Sequence, residues 1–184
     1  MKKGKFIVIS GPSGVGKGTI CNMLFNELDA CYSVSSTTRA PREGEVDGVN
    51  YFFITKEEFE EKIKNGEFLE YNIYNDNYYG TGKKFVMDKM DKGINVFSEI
   101  DVNGARNIKK IFPDALLIYI APPSVEELKL RLIGRGTEDI DTINKRLKIA
   151  EEELKHVDFY DYVVVNDEIE RAKNEVKEII LKEI

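Results

Sequence analysis

The sequence predicts an α/β protein: a three-layer fold with a mostly parallel sheet of five strands, helices on both faces, and a small mixed α/β subdomain inserted into it. Three observations carry this. A β-forming run at 6–9 enters a glycine-rich turn that opens into a helix. From residue 83 onward apolar strands alternate with amphipathic helical patterns, the signature of a parallel sheet with crossover helices. One of those strands, 115–120, is apolar at nearly every position, as a strand covered on both faces should be. Between 33 and 82 the rhythm breaks into short strands and turns, which marks the insertion.

The elements follow in order. The first helix shows Ile20, Met23, Leu24 and Leu28 on one face. Residues 32–39 are β-prone, and 40–48 form a loop because Pro41, Gly44 and Gly48 interrupt any regular pattern. A short strand at 51–54 precedes Thr55, which with Glu58 makes a capping box for a helix burying Phe59 and Ile63 and ending near Gly66. Strands at 68–73 and 78–81 flank a turn at 75–77. A helix over 83–92 stops at Gly93, a strand at 94–97 runs into Glu99 and Asp101, and a helix follows to Phe112 with Pro113 beyond it. Ser124 and Glu127 cap a helix that reaches about Ile133, and Gly134 to Gly136 reads as a hinge-like turn. The long helix after it carries a stripe of Ile140, Ile143, Leu147, Ala150, Leu154 and Val157. A last strand at 162–165 and a helix lined by Ile169, Ala172, Val176 and Ile179 close the chain.

The turn after the first strand has the phosphate-binding pattern Gly11-x-x-x-x-Gly16-Lys17. Glycines allow successive N–H groups to point inward at a polyphosphate, and the following helix adds its positive end. Lys17 supplies a full charge. Residue 18 is glycine where a serine or threonine usually offers Mg²⁺ a hydroxyl, and Thr19 falls one place late. The metal is then expected to rest on phosphate oxygens, water and a carboxylate. Glu99, at a strand end, is the candidate carboxylate.

The 184 residues suit one domain with a sizeable core. No apolar run approaches the roughly 20 residues of a membrane span, and the four apolar residues after Lys5 are too few for a signal peptide core. These observations predict a cytoplasmic protein without a membrane partner. Cys21 and Cys31 show no paired spacing and are expected as free thiols. A net charge of −6 argues against nucleic acid as a partner. Acid runs such as 57–61 and Glu151 to Glu153 are expected as solvated faces, and His156 as a surface residue.

Residues 33–81 hold a distinctive run, Ser33-Val-Ser-Ser-Thr-Thr-Arg-Ala-Pro-Arg-Glu-Gly-Glu-Val-Asp-Gly48. It is followed by Tyr51-Phe-Phe, Phe68-Leu-Glu70 and Asn77-Tyr-Tyr-Gly-Thr81. Further along stand Ile100-Asp-Val-Asn-Gly104, Ala121-Pro-Pro-Ser124, Arg135-Gly-Thr-Glu138, Asn144-Lys-Arg146 and Val165-Asn-Asp167. Together these segments closely resemble guanylate kinase, in family order and over nearly the whole chain.

The resemblance implies a P-loop nucleoside monophosphate kinase fold with a core (1–32, 83–123, 157–184), a GMP-binding subdomain (33–82) and a helical lid (124–156). It implies that ATP is bound by Gly11, Pro12, Ser13, Gly14, Val15, Gly16, Lys17, Gly18, Thr19, Arg135 and Asn166. Arg39, Arg42, Tyr51 and Tyr79 match residues that hold the acceptor phosphate. Ser35, Glu70 and Thr81 match those that read guanine, with Asp101 close to the base. Lys17 and the lid arginines Arg131, Arg135 and Arg146 are the implied catalytic charges, with Mg²⁺ arriving on ATP. The implied reaction is phosphoryl transfer from MgATP to GMP, and to dGMP, in purine nucleotide metabolism and GMP recycling, by a monomer or homodimer. Two other readings stay open: a kinase for a different nucleoside monophosphate, and a non-enzymatic scaffold of the same fold that binds phosphorylated peptides.

Overall fold

The structure is a computed structural model that describes residues 3–25, 27–28, 30–74, 76–134, 136 and 139–184. β1 (Phe6–Ser10) is buried along its whole length and leads through the glycine turn into α1 (Lys17–Phe25) and then β2 (Ala30–Tyr32). β3 (Ser36–Thr37), β4 (Phe52–Phe53), α2 (Lys56–Lys64), β5 (Phe68–Tyr74) and β6 (Asn77–Gly82) form the inserted unit. α3 (Lys83–Asp91), β7 (Asn95–Glu99), α4 (Val102–Ile111), β8 (Leu116–Ala121), α5 (Val125–Gly134), α6 (Ile140–Leu154), β9 (Tyr162–Val165) and α7 (Ile169–Glu183) complete the chain.

Two sheets result. The larger has the order β2-β7-β1-β8-β9, with every pairing parallel. β1 sits at its centre, so residues alternate between two apolar layers. Ile7 and Ile9 pack with Ile20 and Leu24 of α1, Leu128 of α5, Leu147 of α6 and Val176 of α7. Phe6 and Val8 pack on the other side with Val86 of α3 and Val102, Ala105 and Ile108 of α4. The second sheet is mixed, in the order β4-β3-β6-β5. It is the insertion that the broken rhythm predicts. Among the described residues, no helix is long and apolar enough to cross a membrane.

Local chemistry sets most element ends where expected. Thr55 accepts from the Glu58 amide at 3.2 Å while Glu58 accepts from the Thr55 amide at 2.7 Å, a complete capping box. Gly93 follows α3 at φ 78°, a left-handed stop.

Several expectations need correction. The β-prone segment after α1 is split: β2 joins the large sheet and β3 the small one, because Ser33 still donates to Phe97 O while Ser36 already faces Gly80. α1 ends at Phe25 and buries Ile20, Cys21 and Leu24, so Leu28 packs from beyond the helix and Met23 is only half-buried. Cys21 is the small apolar side chain that completes that face. Ile140, at the first turn of α6, is exposed, and the buried stripe starts at Ile143. Gly134 is the last residue of α5 rather than part of a turn. Glu151 and Glu152 are solvated as expected, but Glu153 is half-buried. It lies three residues after Ala150 and thus on the buried side of α6. Burial pushes its carboxyl up to about 7, with Lys17 opposing and Asp101 reinforcing the shift.

Candidate active site

The glycine turn is held tightly against the sheet. Gly11 has φ 146°, and a Cβ there would stand 2.3 Å from Ile120 O, so only glycine lets β1 leave the sheet at that point. Gly16 has φ 101°, and its Cβ would fall 2.6 Å from Asn166 Nδ2. Asn166, just past β9, is buried and donates that amide to Val15 O at 2.7 Å. Its side chain therefore braces the loop from behind, and its own carbonyl accepts from Arg131 Nη2 at 3.0 Å. The loop's shape is thus set by contacts within the chain.

Two cations converge on this loop. Lys17 Nζ donates to Gly11 O at 2.7 Å and Pro12 O at 3.0 Å. Arg146, from α6, donates Nη1 to Ser13 Oγ at 2.8 Å across 133 residues of chain. Arg131 lies one layer back, between the Asn166 carbonyl and Glu127, whose oxygen is 3.4 Å from its Nε. Thr19 is exposed, consistent with its late place in the pattern. Arg135 lies outside the described residues.

Glu99 ends β7 beside the loop. A Cβ on Gly18 would sit 3.4 Å from Glu99 Oε2, an ordinary van der Waals contact that places the Glu99 carboxylate against the start of α1. Burial, and after it the Glu99 charge, raises Tyr51 to about 12 and also raises the Tyr32 phenol and the Cys21 thiol. The field of Glu99 therefore reaches Tyr51 in the inserted unit. Among the described residues no three His, Cys, Asp or Glu side chains gather as a metal cage. A magnesium ion held by one carboxylate and by nucleotide phosphates needs no such cage, and Glu99 beside Gly18 fits that donor set.

The inserted unit presents a second polar group. Arg39 Nη2 pairs with both oxygens of Glu45 at 2.8 and 2.9 Å, and Nη1 donates to Ala40 O at 2.7 Å. Its guanidinium lies 5.6 Å from the Tyr51 ring centre, and Tyr51 meets Tyr79 edge to face at 6.0 Å. Burial would raise the Glu45 carboxyl, but the bonds from Arg39 and the Arg42 amide outweigh it and lower it. The Arg42 side chain is exposed. Arg39, Tyr51 and Tyr79 are brought together, and Glu45 fixes their cation, although sequence reasoning did not single it out.

Glu70 is 7% exposed. Thr81 Oγ1 donates to its Oε1 at 2.7 Å. Burial pushes the Glu70 carboxyl up to about 7, the Thr81 bond opposes this, and Asp101 adds to it. Glu70 faces Thr81 across β5–β6. The β3–β6 register, Ser36 with Gly80, carried one step back puts Ser35 opposite Thr81. Asp101 caps α4 by accepting from the Gly104 amide at 2.7 Å, and its other oxygen accepts from Asn72 Nδ2 at 3.0 Å. Gly104 is itself required: a Cβ there would be 2.6 Å from Glu70 Oε2. Asn72 and Gly104 had no assigned role in the sequence reading. The period of two along β5, which places Asn72 on the face of Glu70, is the signal that could have found the first.

The arrangement joins an anion cradle carrying two cations to a buried carboxylate flanked by donors and a second acid. The first suits a polyphosphate, and the second suits a ring edge rich in N–H groups. The family model described as guanylate kinase matches residues 3–183. The crystal structure of guanylate kinase from Anaplasma phagocytophilum is similar with a TM-score of 0.84 and 36% sequence identity, over 99% of this chain and 87% of that one.

Proposed function

The chain belongs to the guanylate kinase family and is an ATP:GMP phosphotransferase, and on that premise we propose how its residues divide the work. The unit 33–82 binds GMP, 124–156 acts as the lid, and the remainder is the core. The γ-phosphoryl group of MgATP passes to GMP, giving ADP and GDP.

The observation that carries the residue assignment is the buried Glu70 carboxylate. This buried acid accepts from Thr81, and its removal from water makes further donors favourable to its charge; guanine offers them. The N1–H and N2–H₂ groups lie on one edge, and an ionised carboxylate accepts from both. Adenine presents an unprotonated N1 there and no 2-amino group, so Glu70 would face a lone pair. A site built on such hydrogen bonds rejects the wrong base by a factor of about 10⁴ in favourable cases.

Arg39 and Tyr79, with Tyr51 and Arg42, receive the GMP phosphate. Glu45 and Ala40 already hold the Arg39 fork in one orientation, so little rotamer freedom remains to be lost. The loop amides, Lys17 and Arg146 take the donor phosphates, Lys17 from beside the Gly11 carbonyl and Arg146 from beside the Ser13 hydroxyl. Mg²⁺ with Glu99 and the phosphates would neutralise charge on the transferring group. The acceptor phosphate is already ionised and attacks without a strong base, so the protein contributes positioning, charge and exclusion of water.

The same reading covers dGMP, which presents the same base edge and 5′-phosphate as GMP. It further places the enzyme, as a monomer or homodimer, in cytoplasmic purine nucleotide metabolism and GMP recycling.

The test is ADP production from MgATP with GMP, AMP, CMP and UMP as separate acceptors. Turnover with GMP alone is expected. Turnover with another acceptor would discard the guanine argument, and GMP binding without turnover would favour the scaffold.

A further inference from the structure

The β5–β6 hairpin carries more than Glu70 and Thr81 on its cleft face. Asn72 pairs across the strands with Tyr79, as Glu70 pairs with Thr81. Strand period puts all four on one side. Asn72 is half-buried, and its amide lies 3.0 Å from Asp101 Oδ2, 29 residues away in sequence. An ionised carboxylate only accepts hydrogen bonds, so it is the NH₂ group of Asn72 that faces Asp101.

Asp101 is thereby held from two sides. Its Oδ1 takes the Gly104 amide from the core helix α4, and its Oδ2 takes the Asn72 amide from the inserted sheet. Gly104 also separates this acid from Glu70, whose Oε2 lies directly over the same helical turn. Two carboxylates therefore meet at the first turn of α4. Their repulsion would favour a swing of the less buried one into solvent, and the Asn72 amide is the donor that opposes this swing.

Guanine has three N–H bonds on the edge in question, one on N1 and two on N2. Glu70 can take N1–H and one N2–H. The second N2–H needs another acceptor, and Asp101 Oδ2 retains a free lone pair after accepting from Asn72. We propose that Asn72 is a specificity-determining positioning residue, which holds the Asp101 carboxylate toward the second N2–H of guanine and so strengthens the preference for an acceptor that carries a 2-amino group. This rests on the assignment of Glu70 and Asp101 to guanine made above, and it extends that site to a residue outside it.

Inosine 5′-monophosphate (IMP) is GMP without the 2-amino group and shares its phosphate and N1–H. The experiment measures kcat and KM for GMP and IMP in the wild-type chain, Asn72→Ala, Asp101→Asn and the double variant. Asn72→Ala is expected to lower the GMP-to-IMP ratio of kcat/KM about tenfold, the scale of one hydrogen bond to a charged group. Most of the change should lie in KM for GMP. Asparagine still caps a helix, so Asp101→Asn keeps α4 capped. In that background, adding Asn72→Ala should change the ratio less than twofold, because the two residues act as one unit.

An unchanged ratio in Asn72→Ala overturns the proposal. So does an equal loss for GMP and IMP, which a merely structural role would give. A full tenfold effect of Asn72→Ala in the Asp101→Asn background overturns it as well, since Asn72 would then act elsewhere. A wild-type chain that turns over neither GMP nor IMP overturns the GMP reading itself, a result distinct from a normal kinase whose ratio ignores Asn72.

Discussion

Glu70 stands where solvation and charge oppose each other. Its carboxyl is raised to about 7, above its ordinary value, so the folded chain binds a proton that the unfolded chain releases. The stabilisation from neutral Glu70 is complete below about pH 4 and is lost as pH rises through about 7. Glu70→Gln should therefore be more stable than wild type at pH 8 by roughly 3 kcal/mol at most, with the difference shrinking toward pH 5. Thermal melts at the two pH values check this. GMP binding has the opposite sign, because guanine donors need the ionised form. Wild-type affinity for GMP should fall about tenfold between pH 8 and pH 6, beyond the change seen in Glu70→Gln, since phosphate ionisation is common to both. Titration calorimetry would show it, and parallel curves would remove Glu70 from base reading. Gly104 adds a steric test. Alanine would gain about 1 kcal/mol of helix propensity there, but its Cβ would stand 2.3 Å from Ile100 Cγ2 and 2.6 Å from Glu70 Oε2. The clash outweighs the propensity: Gly104→Ala should lower the melting temperature and raise KM for GMP at least fivefold, and an unchanged KM would show that Glu70 is free to move.

At the scale of elements, caps and turns were legible because their causes are local. Thr55 and Glu58 read as a capping box, and the box is complete in α2. Thr55→Ala should cost about 1 kcal/mol of stability with kcat unchanged, as urea unfolding beside steady-state kinetics would show; a fall in kcat would mean that α2 positions the site directly. The glycine loop was legible for the same reason, since its backbone angles require particular residue types in a short span. Other element-level readings failed where tertiary contact decided. A β-prone stretch cannot show that β2 joins one sheet and β3 another, because both registers lie with distant strands. An acidic run looks solvated until the packing of α6 shows which residue turns inward, and there it is Glu153. Asn72 and Glu45 escaped notice because an ordinary polar residue on a strand or loop acquires meaning only from its partner.

Across the whole molecule, the positive charge at the glycine loop is assembled from distant segments. Lys17 lies within the loop it serves, whereas Arg146 reaches Ser13 from α6. Lys17→Ala should lower kcat at least a hundredfold while leaving GMP affinity within about threefold, the pattern of a group that stabilises charge in the transition state. Arg146→Ala should likewise lower kcat more than it raises KM for GMP. Steady-state kinetics with equilibrium GMP binding separates these, and a pure loss of GMP affinity would move either residue to the acceptor side. The sequence by itself determined the α/β class, the five-strand core with its insertion, the phosphate loop, and, through resemblance, the family and most candidate residues. These depend on local periodicity, backbone angles and short motifs, which the order of residues carries directly. Only the tertiary structure decided that Asn166 braces the loop, that Glu45 holds Arg39, and that Asn72 and Gly104 set the surroundings of Asp101 and Glu70. Each depends on distances between segments far apart in the chain, and those distances exist only once strand register and helix packing have brought the segments together.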